Sequence, residues 1–316
     1  MENCKIKIIF IGTPKFGAII LERLIKNNYK PILVITAPDK SVGRKNVLTP
    51  SEVKLAAQKY KISILQPEKV SNIKGRLSNI KPDLIICAAY GQILPKEILE
   101  IPKYGCLNIH PSLLPKYRGA SPIQTALLNN DKETGITIYV MDEKMDHGPI
   151  LAGRELKIPN SKENYETLNK KLAEIGVKLL IETIPKWVKG EIKAKPQDES
   201  KASYTKIIKK EDGKIDWSKS AQEIEQQIRA FHPWPASFTF WNKNGKNLQM
   251  KILESDILKS NQKSPIGKVI LSDKKILVKC KKDFLIIKKL QIEGKKPMNS
   301  EDFLRGNSDF INAILK

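Results

Sequence analysis

The sequence predicts an α/β protein: a mostly parallel β-sheet covered by helices, followed by a small β-barrel. Three observations support this fold class. Strand-like and helical patterns alternate in the first half, the strand-like runs are continuously apolar, and several short strands without intervening helices fill the last third. Continuously apolar strands are typical of parallel sheets that are buried on both faces. At 316 residues the chain is long enough for two domains.

The elements of the first part follow from their hydrophobic patterns. Five apolar runs predict strands, at 6–12, 31–37, 82–90, 135–140 and 149–158. Two stretches with helical spacing of apolar residues predict helices, at 15–28 and 162–189. Functional loops of such a sheet lie at the carboxyl ends of its strands, so we expect the functional site there.

A change in composition divides the chain. Residues 191–206 are polar and charged and contain almost no large apolar side chains, which predicts an interdomain linker. Beyond them, short strand-like runs are separated by polar turns, a pattern that is typical of a small barrel or sandwich. We therefore expect an N-terminal domain at 1–190 and a C-terminal domain at 207–316.

The chain is strongly basic, with a formal net charge of +22. Residues 1–200 carry 32 Lys and Arg against 21 Asp and Glu, whereas residues 201–316 carry 24 against 13, so the C-terminal part is the more basic for its length. This charge favours nucleic acid or an anionic membrane surface as partner, although a nucleotide bias towards Lys, Ile and Asn also explains it. With no signal peptide, and no apolar run near the roughly 18–20 residues of a membrane span, we expect a cytoplasmic protein without a membrane partner.

The sequence contains few residues that could bind a catalytic or structural zinc ion. The four cysteines are scattered without a C-x-x-C pair, and there are three histidines, so a zinc site lacks suitable ligands. The cysteines are expected to be reduced residues that pack in the interior.

The segment CLNIHPSLLPKYRGASPIQ (106–124) contains the best candidates for catalysis. Asn108 and His110 stand two residues apart at the end of a predicted strand, so both side chains point to one face. A carboxamide and a neutral imidazole suit acyl transfer, since one donates to a developing oxyanion and the other moves protons. Asp146, in the glycine turn of MDHGPIL (145–151), can orient His110 or take a proton itself. Taken singly, each residue also fits packing, capping or a tight turn.

The segments NIHPSLLPKYRGASPIQ and ETGITIYVMDEKMDHGPIL resemble the core of the 10-formyltetrahydrofolate-dependent formyltransferases. The resemblance implies a Rossmann-like domain in which Asn108, His110 and Asp146 are the catalytic trio. It also implies that four consecutive residues contact the folate: Ser112, Leu113, Leu114 and Pro115. His147 departs from the small residue that many relatives have at this position.

The same resemblance implies a mechanism. The substrate amine attacks the formyl carbon on N10 of the folate, and Asn108 and His110 stabilise the tetrahedral oxyanion by hydrogen bonds. The amine must be neutral to attack and must lose a proton afterwards. Asp146 accepts that proton, through His110 or through a water molecule. No metal is required.

The loop APDKSVGRKNVLTPSEVKLAA (37–57) bears on which amine receives the formyl group. It resembles the loop with which the tRNA-formylating members of the family grip the acceptor end of tRNA. Arg44 takes the gripping position, with Lys40 and Lys45 beside it. An exposed basic loop near the active edge can also reach phosphates and splay the end of an acceptor stem.

Two further segments, 202–238 and 290–306, resemble the C-terminal domain of the same tRNA-formylating members. The resemblance implies an OB-like C-terminal barrel that binds tRNA phosphates, with methionyl initiator tRNA as the formyl acceptor. We expect a monomer by default.

Other acceptors remain alternatives. Members of the family formylate a small ribonucleotide of purine synthesis or an amino-sugar nucleotide, and the hydrolase-like domain of formyltetrahydrofolate dehydrogenase shares the architecture. A non-enzymatic RNA-binding protein on the same scaffold is a further alternative. The presence of all three trio residues argues against it.

Overall fold

The computed structural model describes residues 6–42, 46–159 and 163–316. The chain forms two compact units. The first comprises Met1–Pro122, Glu133–Ile158 and Leu168–Lys206, and the second comprises Ile123–Lys132, Pro159–Thr167 and Ile207–Lys316. The polar segment 191–206 belongs to the first unit. Its role as a linker, like the domain boundaries at 190 and 207, stays a prediction.

Within the described residues, a seven-stranded sheet forms the centre of the first unit. The strands up to residue 190 are β1 (Ile8–Gly12), β2 (Leu33–Ile35), β3 (Lys40–Val42), β4 (Val47–Thr49), β5 (Ser63–Leu65), β6 (Leu84–Ala88), β7 (Cys106–His110), β8 (Arg118–Gly119), β9 (Glu133–Val140) and β10 (Ile150–Lys157). The helices are α1 (Lys15–Lys26), α2 (Glu52–Lys59), α3 (Lys74–Ile80), α4 (Lys96–Leu99), α5 (Pro122–Leu128) and α6 (Tyr165–Val188).

The sheet order is β10-β9-β7-β6-β1-β2-β5. The five strands from β7 to β5 run parallel, and β9 and β10 are antiparallel. The mostly parallel sheet that the apolar runs predict is therefore confirmed.

The central strands β1 and β6 are apolar on both faces of the sheet, and helices cover both faces. All five residues of β1 and of β6 are buried. On one face, Ile85 packs in a cluster with Leu77 of α3 and Ile98 of α4. On the other, α6 lies close to β7, and a Cβ added to Gly176 would stand 3.0 Å from a methyl group of Ile109. A larger residue at this point of the helix would therefore require Ile109 to shift by a few tenths of an ångström.

The carboxyl ends of β1, β6 and β7 meet at one edge of the sheet, because these strands are parallel. The hairpin β3–β4 follows β2 and lies at the same edge. Its base is held by Asp39, whose carboxylate accepts hydrogen bonds from Lys54 at 2.6 Å and from Gln66 at 2.7 Å. The fold thus brings the candidate catalytic strand and the candidate tRNA loop to the same edge.

The segment that follows α6 returns to this edge. Strand β11 (Tyr204–Thr205) pairs in parallel with β8. Lys195 forms an antiparallel bridge with Ile150 at the start of β10. The hydroxyl of Ser121 donates to the carbonyl oxygen of Lys206. Residues 195–206 are therefore built into the first unit.

The second unit is built on an antiparallel sheet. Its strands are β12 (Ser237–Lys243), β13 (Lys246–Leu258), β14 (Val269–Ser272), β15 (Lys275–Lys279), β16 (Phe284–Ile292) and β17 (Met298–Asn299), and its later helices are α7 (Ala221–Ala230) and α8 (Ser300–Arg305). The order is β12-β13-β16-β15-β14, with β17 paired to β16. Helix α7 begins with a capping box in which Ser220 and Glu223 each accept a hydrogen bond from the backbone of the other.

The C-terminal segment closes this sheet into a barrel. Val269 of the outer strand β14 donates to the carbonyl oxygen of Ala313 at 2.9 Å. Phe240 of the opposite outer strand β12 exchanges two backbone hydrogen bonds with Lys316, of 3.0 and 3.2 Å. Between these contacts, Leu315 is buried in the apolar core of the unit. The predicted β-barrel is therefore confirmed.

Candidate active site

The two polar residues of β7 lie on one face of the strand, as its alternation predicts. Asn108 stands between Tyr139 of β9 and Cys87 of β6 in the sheet register. Asp146 lies in the loop between β9 and β10 with a left-handed φ of 50°. Its Oδ2 is 3.6 Å from Nδ1 of His110, and its Oδ1 is 3.5 Å from Nδ2 of Asn108. The structure thus brings the three candidate catalytic residues together.

A backbone carbonyl orients His110. The Nε2 atom of this buried histidine lies 2.9 Å from the carbonyl oxygen of Tyr117. Because a carbonyl oxygen accepts and cannot donate, Nε2 carries the proton and Nδ1 presents a lone pair in the neutral ring. Nδ1 faces Asp146 at 3.6 Å, which is too long for a hydrogen bond. A proton added to Nδ1 would be stabilised by the nearby carboxylate.

Both carboxylate oxygens of Asp146 accept short hydrogen bonds. The hydroxyl of Tyr139 donates to Oδ1 at 2.7 Å, and the backbone N–H of Gly119 donates to Oδ2 at 2.7 Å. This arrangement suits an ionised carboxylate, which accepts hydrogen bonds and donates none.

Only one of the two polar atoms of the Asn108 side-chain amide is hydrogen-bonded well. Its Nδ2 donates to the hydroxyl of Tyr139 at 2.8 Å. Its Oδ1 is buried and has no hydrogen-bond partner among the described residues. Leaving a buried polar atom unpaired costs about 1–3 kcal/mol. The site therefore retains an acceptor for a donor that the described chain does not supply.

Burial keeps two neighbouring groups protonated. Burial, followed by the negative charge of Asp146, raises the pKa of Tyr139 well above its ordinary value. The same two causes raise the pKa of Cys87 to about 12. At neutral pH, Tyr139 is therefore a constant hydrogen-bond donor and Cys87 a thiol without nucleophilic character.

A buried arginine holds the loop of Asp146 through a glutamine. The guanidinium of Arg118 donates to Oε1 of Gln197 at 2.8 Å and to Oε1 of Glu199 at 2.6 Å. The hydrogen bond with Glu199 is the main cause that raises the pKa of Arg118 above its ordinary value. The Nε2 atom of Gln197 donates to the carbonyl oxygens of Asp146 and Gly148, at 2.9 and 2.8 Å. The sequence predicted no role for Gln197, because it lies in the polar segment that composition marks as a linker.

Comparison with known proteins identifies the family of the chain. A family model described as formyl transferase matches residues 5–184, and one described as formyl transferase, C-terminal domain, matches residues 207–308. Relatives named methionyl-tRNA formyltransferase are similar over nearly the whole chain. The protein of Halalkalibacterium halodurans is 45% identical over 305 residues, which are 95% of this chain and 94% of the relative. The proteins of Bacillus subtilis and Clostridium novyi are each 43% identical, over 95% and 98% of this chain and 94% and 100% of their own lengths.

The chain belongs to the methionyl-tRNA formyltransferase family. The family resemblance that the core segments carry is therefore confirmed, and so is the expectation of a formyl-transferring enzyme. The match extends through both units and is not confined to the core.

Solved structures that are similar to this formyltransferase family member support the fold. HypX from Aquifex aeolicus in complex with tetrahydrofolic acid has a TM-score of 0.65 and 16% identity, over 96% of this chain and 47% of the HypX chain. WlaRD, a sugar 3N-formyl transferase solved in the presence of dTDP and 5-N-formyl-THF, has a TM-score of 0.63 and 23% identity, over 93% of this chain and 100% of its own. At these identities the likeness concerns the architecture.

The candidate folate-contacting residues form a tight loop after β7. The hydroxyl of Ser112 is buried and donates to the carbonyl oxygen of Lys116 at 2.6 Å. The hydroxyl of Thr137 in β9 donates to the carbonyl oxygen of Ser112 at 2.7 Å and accepts from the backbone N–H of Leu114 at 3.0 Å. The Ser112 hydroxyl is therefore used inside the loop, and the loop is fastened to the sheet.

The rest of this loop packs against the same strand. Leu113 lies over Gly135 of β9, where an added Cβ would overlap its Cδ2 atom. The peptide bond between Leu114 and Pro115 is cis. The role of these residues in folate binding stays a prediction.

His147 is directed away from the trio. Its Nδ1 lies 2.6 Å from Oδ2 of Asp142, and its Nε2 lies 3.5 Å from Oε1 of Glu199. The second imidazole that stands beside Asp146 in the sequence thus contacts other carboxylates in the structure.

The candidate tRNA loop is described only in part. Lys40 begins β3 and is exposed. Arg44 and Lys45 lie outside the described residues. Val47 and Leu48, on the returning strand β4, are exposed apolar side chains. The contacts of this loop with tRNA stay a prediction.

The described part of the chain offers neither a metal-binding cluster nor a membrane-spanning helix. No group of three or more His, Cys, Asp or Glu side chains within it could hold a metal ion. Of the helices described, none combines the length and the apolar character that crossing a membrane requires.

Proposed function

We propose that this protein transfers the formyl group of 10-formyltetrahydrofolate to the free amino group of methionyl initiator tRNA, giving formylmethionyl-tRNA for translation initiation. The observation that carries the proposal is the buried cluster of Asn108, His110 and Asp146 at the carboxyl edge of the sheet. Similarity to methionyl-tRNA formyltransferases through both units supports tRNA as the carrier of the amine.

In this proposal His110 moves the proton. Its Nδ1 carries the free lone pair, since Nε2 donates to Tyr117. Nδ1 accepts the proton that the attacking amine loses, and Asp146 stabilises the imidazolium that results. The imidazolium then gives this proton to the folate nitrogen as the bond between that nitrogen and the formyl carbon breaks. Direct proton uptake by Asp146 is less favoured, because both its oxygens already accept hydrogen bonds.

The residues at this edge fit a bound formyl donor. When bound, the folate supplies the formyl carbon. The unpaired Oδ1 of Asn108 leaves capacity for a polar partner within the site. The folate itself is held by the loop of Ser112, Leu113, Leu114 and Pro115. The hydroxyl and the carbonyl oxygen of Ser112 are already hydrogen-bonded within the protein, so Ser112 contributes by shaping this loop.

The tRNA is held by positive charge. Lys40, Arg44 and Lys45 contact the acceptor end, beside the catalytic edge. The net charge of +22 supports binding of phosphates elsewhere, and residues 201–316 carry the larger share for their length. We place the protein in the cytoplasm as a monomer.

The proposal is tested by formylation of purified charged initiator tRNA with 10-formyltetrahydrofolate. Charged elongator methionyl-tRNA is the comparison, and uncharged initiator tRNA, which lacks the amine, is the blank. We expect formylation of the initiator in preference to the elongator. Transfer to neither tRNA, with folate still bound, would contradict the proposal and indicate a small amine as acceptor.

A further inference from the structure

The hairpin β3–β4 carries Lys40, one of the candidate tRNA-contacting residues, at the start of its first strand. Five of its described residues are exposed: Lys40, Ser41, Val47, Leu48 and Thr49. Side chains that stay in solvent bury little apolar surface, so they contribute little to fixing the hairpin on the first unit. The direction of the hairpin therefore depends on how its base is held.

Three side chains from separate parts of the chain meet at this base. The Nζ atom of Lys54 donates to Oδ2 of Asp39 at 2.6 Å, and Nε2 of Gln66 donates to Oδ1 of Asp39 at 2.7 Å. Gln66 also donates to the carbonyl oxygen of Ala37 at 2.9 Å. We call Asp39, Lys54 and Gln66 the base clamp. Asp39 is its centre, because both carboxylate oxygens are used and the hairpin begins at the next residue.

Both partners of Asp39 stand on well-anchored elements. Lys54 lies in the first turn of α2, where its backbone N–H donates to the capping hydroxyl of Ser51 at 3.0 Å. That hydroxyl is 2.7 Å from the hydroxyl of the buried Thr36, at the end of β2. Gln66 directly follows β5 of the central sheet. The base clamp thus connects the hairpin to a helix and to the sheet.

The clamp is an ion pair that is partly shielded from solvent. The side chains of Lys54 and Asp39 are 19% and 22% exposed. The hydrogen bonds from Lys54 and Gln66 lower the pKa of Asp39 below its ordinary value, so its carboxylate is ionised at neutral pH. Shielded pairs are weakened less by salt than fully exposed pairs are. The clamp therefore persists at the salt concentrations at which tRNA is bound.

Building on the proposed function, we propose that Asp39 is a positioning residue that holds the β3–β4 hairpin in the direction in which it meets the acceptor end of the tRNA. A negative charge within a basic loop is unfavourable for binding phosphates, so electrostatic attraction alone gives no reason for a carboxylate here. Fixing the base provides one, since a loop that is oriented in advance loses less conformational freedom on binding.

Two substitutions with opposite changes in charge test this role. Asp39→Ala makes the loop more positive, and Lys54→Ala makes it less positive. If the clamp positions the hairpin, both should lower kcat/KM for charged initiator tRNA by about 10-fold, with KM for the folate near the wild-type value. If the loop acts only through its charge, Asp39→Ala should raise kcat/KM and Lys54→Ala should lower it. Opposite effects would overturn the inference.

A second ion pair of the same unit provides the matched controls. Lys59, in the same helix as Lys54, lies 2.9 Å from Glu22 of α1. Glu22→Ala and Lys59→Ala repeat the two charge changes away from the base clamp and should leave kcat/KM for tRNA near the wild-type value. Equal losses at both pairs would overturn the assignment.

A double-mutant cycle shows whether Asp39 and Lys54 act as a unit. The variant that carries both Asp39→Ala and Lys54→Ala should lose no more activity than the more severely affected single variant, because either change alone opens the clamp. Losses that simply add would contradict the proposal.

Hydrogen exchange tests the clamp without any substrate. The backbone amides of β4 should exchange faster in Asp39→Ala and in Lys54→Ala than in the wild type or in Glu22→Ala, because the base of the hairpin is released. Unchanged exchange in both clamp variants would overturn the inference whatever the enzyme formylates. A wild type that formylates no tRNA would instead overturn the proposed function, and faster exchange in the variants would still support the clamp.

Discussion

The Nε2 atom of His110 and the carbonyl oxygen of Tyr117 lie 2.9 Å apart, and this contact selects the ring nitrogen that can react. Since the carbonyl holds the Nε2 proton, Nδ1 is left for proton transfer. Tyr117 ends the loop that is proposed to contact the folate. The same loop thus fixes the tautomer of the histidine and shapes the proposed folate site.

Replacing His110 should abolish proton transfer and leave folate binding. We expect His110→Ala to lower kcat by roughly 10²–10⁴-fold, because general acid–base catalysis contributes this much. Initial rates on charged initiator tRNA measure the effect, and fluorescence titration with folate is the control for an intact site. Turnover close to that of the wild type would exclude His110 as the proton carrier.

Replacing Gln197 should loosen the loop of Asp146. Gln197→Ala removes both hydrogen bonds to the backbone carbonyls of Asp146 and Gly148. We expect kcat to fall by roughly 10-fold or more, since misplacement of a catalytic group is costly. Lys201→Ala is the control, because this residue lies in the same segment with its side chain 75% exposed. Equal activity of both variants would show that Gln197 does not position the loop.

Replacing Arg44 should weaken the use of charged tRNA and leave folate affinity unchanged. We expect Arg44→Ala to lower kcat/KM for charged initiator tRNA by about 10- to 100-fold, the loss of one charge-assisted contact. The defect should depend on salt concentration, which phosphate contacts do. Folate affinity should be unchanged. Lys26→Ala, at the far end of α1, is the matched control for loss of one positive charge. Equal loss of folate affinity would indicate that the loop only supports the fold.

The closure of the barrel should be visible in the stability of the second unit. Leu315 is 3% exposed and Ile314, its neighbour, is 52% exposed. Leu315→Ala should lower the free energy of unfolding by about 2–5 kcal/mol, as buried leucines do. Ile314→Ala should change it by less than about 0.5 kcal/mol. Urea unfolding followed by tryptophan fluorescence compares the two. Similar midpoints would contradict the closure.

Long hydrophobic patterns were sufficient to predict the main elements of the first unit. The run at 6–12 contains β1, and the helical stretch at 162–189 contains α6, which continues to Val188 beyond Pro185. Alternation along β7 was enough to place Asn108 and His110 on one face.

The rest of the site depends on pairings that local patterns do not encode. Tyr139 looks like an ordinary β-strand residue in GITIYV, and only the register of β9 against β7 sets its hydroxyl beside Asn108. Gln197 lies in a segment whose polarity predicts exposure. It is half-buried and held by Arg118, a partner 79 residues earlier in the chain.

Gln197 follows Asp146 by 51 positions in the chain, and this separation also sets the order in which the two residues are synthesised. A ribosome adds about 5–20 residues per second, so the loop of Asp146 exists for about 3–10 s before the glutamine that holds it has been made. During this interval all three trio residues are present without the tether of one of them. The catalytic edge therefore matures late in translation, and a chain released before Gln197 would carry the whole trio with an unanchored aspartate.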